Sequence, residues 1–119
     1  MDQWDAASAA DWLGEFEGLP CWAGLDLSTV DDLSALALCW RRGDCYWIAA
    51  WHWAPRAKAE ARQHGDGRSR RAPYLEWSRA GWLELTDGAS IDYRCIRARI
   101  NDLARRFDIQ LIAFDPYNA

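Results

Sequence analysis

Long apolar runs are missing from this 119-residue chain. None approaches the roughly 18 residues that cross a bilayer, so no transmembrane helix is expected. The opening Met1-Asp2-Gln3-Trp4-Asp5 is acidic with no apolar segment behind it, which speaks against an ordinary signal peptide. The four cysteines, Cys21, Cys39, Cys45 and Cys95, include no C-x-x-C pair, and neither His52 nor His64 has a His-rich neighbourhood. A zinc site is therefore not expected. Three of these cysteines fall in apolar, strand-like runs and read as buried free thiols in a reducing cytoplasm. No G-x-x-x-x-G-K-[ST] occurs, so the chain carries no P-loop of its own. Lysine is nearly absent, Lys58 standing alone, but genome base composition suffices to explain that. The net charge of -4 argues against autonomous tight binding of nucleic acid. It leaves room for an enzyme whose acidic centre takes up metal before it meets phosphate.

What is present fits one small domain, since half the residues are hydrophobic. Residues 1–20 read as a helical lead-in, with Ala6, Ala9, Ala10 and Leu13 forming a weak stripe that Gly18-Leu19-Pro20 ends. Cys21 to Leu27 reads as a first strand. Leu33 to Trp40 reads as a second, apolar on both faces, as in the interior of a covered sheet. Cys45 to Trp53, rich in aromatic and branched residues, reads as a third. Its alternation puts Trp47, Trp51 and Trp53 on one face, as a packing layer more than a base-stacking platform. These strands form an antiparallel meander. Helical composition follows over Arg56 to Gln63, then a mobile basic loop over His64 to Arg71, a short helix over Pro73 to Ala80 and a short strand over Trp82 to Thr86. The clearest helix is Asp92 to Phe107. Asp92 supplies its N-cap, and Ile96, Ile100, Leu103 and Phe107 recur on one face. Gln110 to Phe114 is a last strand, and the strand–helix–strand crossover favours placing it parallel to the first.

Two acids end apolar strands: Asp26 closes the first and Asp115, in Asp-Pro, the last. On neighbouring parallel strands, about 4.8 Å apart, they repel unless a cation lies between them or one is protonated. Oxygen-only ligation suits magnesium or manganese. Two such ions roughly 3.5–4 Å apart activate water and stabilise the leaving oxygen of a phosphodiester. An aspartate after an apolar run also makes a good turn or cap, so each acid has a plain structural reading as well. Asp31 and Asp32 read as a solvent-facing turn pair on the same grounds. Arg68, Arg70 and Arg71 in the basic loop can touch phosphates or merely keep the loop soluble.

Trp4-Asp5-Ala6, Gly24-Leu25-Asp26-Leu27-Ser28, Asp32-Leu33-Ser34-Ala35, Trp53-Ala54-Pro55, Pro73-Tyr74-Leu75-Glu76-Trp77, Gly81, Ile91-Asp92-Tyr93 and Ala113-Phe114-Asp115-Pro116-Tyr117-Asn118-Ala119 follow one another along nearly the whole chain. In this order they resemble the C-terminal nuclease domain of the large subunit of tailed-phage terminases. The resemblance implies an α/β, RNase H-like mixed sheet: a three-strand antiparallel meander plus a parallel strand after a crossover helix, over residues 21–119. It implies metal-dependent endonuclease action on concatemeric double-stranded DNA during genome packaging. Asp26 and Asp115 correspond to metal-holding acids, and Asp32 to an acid that assists near the metals. The implied cofactor is Mg2+ or Mn2+ at a two-metal site.

By the same resemblance an ATPase motor precedes Met1, and a strand, a helix and a third acidic ligand follow Ala119. The fold is then expected to be incomplete at its C-terminus, with a sheet edge and face left bare. The implied partners are DNA, the small terminase subunit and the portal protein, in the cytoplasm of a bacterial host and with no membrane. Cleavage by this chain alone is then expected to be weak or absent. Two other readings stay open: a non-catalytic prophage remnant or packaging-partner fragment, and another RNase H-like enzyme such as a transposase or junction resolvase.

Overall fold

Strands from the first half of the chain and the strand that follows the last described helix meet in one sheet. The structure, a computed structural model, describes residues 12–27, 33–63, 74–81, 83–88 and 90–116. Five strands, Pro20–Asp26 (β1), Ser34–Arg42 (β2), Cys45–Pro55 (β3), Glu84–Thr86 (β4) and Asp108–Phe114 (β5), lie in the order β4-β3-β2-β1-β5. The first three form the expected antiparallel meander, while β5 joins β1 and β4 joins β3 in parallel. Among the described residues, α-helices accompany them at Arg56–Gln63 (α1), Tyr74–Arg79 (α2) and Tyr93–Arg106 (α3), with a 3-10 turn at Gly14–Phe16. Gly43 makes the tight β2–β3 hairpin possible. Its φ of +63° is left-handed backbone that costs glycine little, and it is the first of two loop residues, where primed turns need it.

The two faces of the sheet are covered unequally. On one, α3 lays Ile96 and Leu103 against Leu36, Leu38 and Trp53 in a common core. Asp92 caps this helix as its sequence predicts, Oδ1 accepting from the Arg94 backbone N–H at 3.0 Å. Trp12, Phe16, Trp40, Trp47 and Phe107 close the hairpin end of that core with tilted and edge-on ring contacts; Trp40 and Phe107 have centroids 5.0 Å apart. The described end of the lead-in is thus core material, and an Arg106–Glu17 ion pair at 3.1 Å ties it to the end of α3. Residues 1–11 lie outside the described residues.

On the opposite face the cover is partial. Ala54, Ala59 and Leu83 form a second small core with Leu33, Leu75, Trp77 and Leu85, on the β3–β4 side. The covered-sheet expectation for β2 is therefore corrected. Ser34, Leu36, Leu38 and Trp40 are buried under α3, but Ala35, Ala37 and Cys39 are only half-buried, because the α1–α2 cluster stops short of them. The cysteine expectation also needs correction. Cys21 is buried, Cys39 and Cys95 are half-buried, and Cys45 is exposed as the first residue after the hairpin loop.

Candidate active site

The open part of the sheet is organised in rows. Antiparallel pairing sets Asp26 opposite Ala35 and Ala35 opposite His52. Parallel pairing sets Leu25 beside Phe114, so the next residues, Asp26 and Asp115, end neighbouring strands side by side. Directly paired residues share a face, so Asp26, Ala35 and His52 line up across the sheet, with Asp115 next to Asp26. One step further in lies a row of small residues, Ala113, Gly24, Ala37 and Ala50, and beyond it Leu111, Trp22, Cys39 and Ile48.

Small side chains in the middle row leave a depression of about 470 Å³. Asp26 and Asp115 line it together with Gly24, Ala35, Ala37 and Ala113. The large residues of the third row stand well out of it: Trp22 is 47%, Ile48 48% and Leu111 60% exposed.

The acid pair depends on an irregularity in β5. Cys21 pairs with Ile109, yet Trp22 pairs with Leu111, so Gln110 is an extra residue on the edge strand. Had the first offset continued, Phe114 would lie beside Asp26 and Asp115 would be aimed at the other face. The bulge changes the offset by one residue, and in a strand one residue is the difference between faces.

Both carboxylates are exposed. Two exposed carboxylates fit a hard divalent cation, which takes one or two carboxylates and keeps several waters. Among the described residues there is no group of three or more His, Cys, Asp or Glu that could close a fuller metal shell. Asp32, Arg68, Arg70 and Arg71 lie outside the described residues. His52 was not singled out by its sequence, where it is a lone histidine between Trp51 and Trp53. Alternation puts it on the face away from those tryptophans, but only the pairing register shows that this face also carries Asp26.

A mixed sheet with acids at the ends of two adjacent parallel strands, one helix-covered face and one open, is an RNase H-like α/β arrangement. The chain matches the family described as "Terminase large subunit, endonuclease domain" along residues 1–119. It is 40% identical over 97 residues to the terminase large subunit of Enterobacteria phage HK97, covering 81% of this chain and 18% of that protein. It is 27% identical over 112 residues to protein YmfN of Escherichia coli K12, covering 90% of this chain and 25% of that protein. The crystal structure of the HK97 bacteriophage large terminase superimposes with a TM-score of 0.71 at 34% identity, over 94% of this chain and 23% of that one. The chain belongs to the terminase large subunit endonuclease domain family, and it spans a quarter or less of the length of these relatives.

Proposed function

We propose that the depression at Asp26 and Asp115 hydrolyses phosphodiester bonds of double-stranded DNA, as the cutting site of a terminase large subunit during genome packaging. The observation that carries this reading is the convergence of those two carboxylates, distant in sequence, at like ends of adjacent strands in one open hollow. Asp26 and Asp115 hold Mg2+ or Mn2+ there. When bound, the cation supplies charge stabilisation at phosphate oxygens and an acidified water. The protein's own part is to fix the two carboxylates on rigid strand ends. The floor of glycine and alanine keeps side-chain bulk out of the path of a phosphate backbone. Asp32 assists near the acids, and Arg68, Arg70 and Arg71 contact phosphates along the duplex. In the packaging assembly, the small terminase subunit and the portal protein bring DNA to this site in the cytoplasm of the host cell.

With Asp26 and Asp115 as its ligands among the described residues, the site binds metal weakly and cleaves slowly. The test is nicking of supercoiled plasmid across a magnesium and a manganese titration, with Asp26→Asn and Asp115→Asn alongside. Metal-dependent nicking that either substitution abolishes is the expected result. Folded protein that leaves plasmid intact at every metal concentration refutes it.

A further inference from the structure

His52 is placed to be more than a strand residue. It shares a face and a lateral row with Asp26, separated from it only by Ala35. On its other side, along β3 and β4, lies the α1–α2 cluster around Ala54 and Leu83, and His52 itself is half-buried. Its ring makes no hydrogen bond or ion pair with any described residue.

Two strand spacings separate the Cα atoms of Asp26 and His52, roughly 10 Å. Alanine is the one side chain between them. A phosphate held at the acids therefore leaves the adjoining backbone lying over Ala35, within side-chain reach of the imidazole. Phosphate contacts of this kind fix the register of a nucleic acid without reading its sequence.

We propose that His52 is a DNA-contacting residue of this site, donating an imidazole N–H to a phosphate oxygen of the strand seated over Ala35. The proposal rests on the nuclease reading above. It assigns the third position of the row to substrate and the first two to the cation. His52 thereby becomes one wall of the groove, at the foot of the α1–α2 cluster, and the path of the cut strand runs from Asp115 across the sheet toward β3.

The chain has two histidines, which makes the test direct. Imidazole signals of the full chain are followed by 1H–15N spectroscopy as a 12-base-pair duplex is added in calcium. His52 is assigned by the signal that His52→Gln removes. Affinity for the same duplex is measured for wild type, His52→Ala and His52→Gln.

The expected result is a shift of the His52 signals on adding DNA and a roughly five- to tenfold loss of affinity in His52→Ala. His52→Gln, which keeps an N–H donor, recovers most of that loss. The thermal stabilisation by magnesium stays at its wild-type size in both variants. If His52→Ala does not fold, the imidazole shifts of the wild-type chain on adding duplex still decide. If duplex shifts the backbone amides of Asp26 and Asp115 but leaves the His52 ring unmoved, and His52→Ala binds like wild type, the proposal is overturned while the nuclease reading stands. If duplex moves neither the acids nor His52, the nuclease reading fails and this proposal with it.

Discussion

If Asp26 and Asp115 share a cation, replacing Asp26 with asparagine is expected to change stability in opposite senses with and without magnesium. In the folded chain Asp26 and Asp115 end adjacent strands, about 5 Å apart by strand spacing. In the unfolded chain 88 residues lie between them and their repulsion vanishes. At 5 Å two like charges repel by about 0.8 kcal/mol at the dielectric constant of water and by about 3 kcal/mol at an effective value of 20. Both carboxylates are exposed, so the lower figure applies, and 0.1 M salt trims it further. Asp26→Asn keeps the shape and removes one charge. It is expected to stabilise the metal-free protein by about 0.5 kcal/mol, roughly 2 °C in Tm for a domain of this size. Magnesium at ten times its Kd stabilises wild type by about 1.4 kcal/mol and the variant by far less. The two melting curves therefore exchange order on adding the cation. The assay is thermal unfolding followed by tryptophan fluorescence, with and without magnesium, against sodium chloride of matched ionic strength. An Asp26→Asn protein less stable than wild type in chelator, or an equal gain for both proteins in magnesium, refutes the shared cation site.

Other consequences lie away from the site. Trp53 donates its indole N–H to Glu84 at 3.0 Å, whereas the buried Trp40 N–H finds no acceptor among the described residues. Trp53→Phe is therefore expected to cost about 1 kcal/mol more than Trp40→Phe in urea unfolding, beyond the volume each loses. Thiol titration in native buffer should modify Cys45 first and Cys21 last. Burial, with the Asp108 charge second, pushes the Cys21 thiol up to about 11, while Cys45 is exposed. The carboxyl of Asp92 is held below its ordinary value by hydrogen bonds from the Arg94 side chain and backbone. A depressed folded value means that its contribution is present above the unfolded carboxylate range and is lost as pH falls through the folded value. An acid titration of stability should thus show a component that Asp92→Asn removes, although asparagine still caps the helix.

What the sequence discloses divides along the range of the interactions. The cap at Asp92 and the stripe Ile96, Ile100, Leu103 and Phe107 are written within a few residues of one another, and α3 runs over Tyr93–Arg106 as they indicate. The parallel neighbourhood of β1 and β5 is also legible, because a helical crossover leaves few other choices. Which faces were covered was not. Leu33 to Trp40 is apolar apart from Ser34, yet only its even-numbered residues are sealed, since the second layer reaches β3 and β4 and stops. Alanine satisfies either environment, so Ala35 and Ala37 carry no signal of being open.

Least legible was the register, and the candidate site is a product of register. The bulge at Gln110 has no compositional mark, but it sets Asp115 and not Phe114 beside Asp26. His52 joins the row through two successive pairings, neither visible in the residues around it. A lone acid at a strand end is chemically ordinary. Its meaning comes from which side chains the neighbouring strands place in its row: Ala35 one spacing away on β2, and on the far side of β2, two spacings away, an imidazole. The small residues between them then acquire a role: a larger residue at position 35 would separate the acids from His52 without disturbing the buried face. Ala35→Leu is accordingly expected to leave the unfolding free energy within about 1 kcal/mol of wild type, because the half-open position has room. The same substitution should block duplex binding as severely as loss of His52. Binding at wild-type affinity would mean that DNA does not cross the sheet at this row.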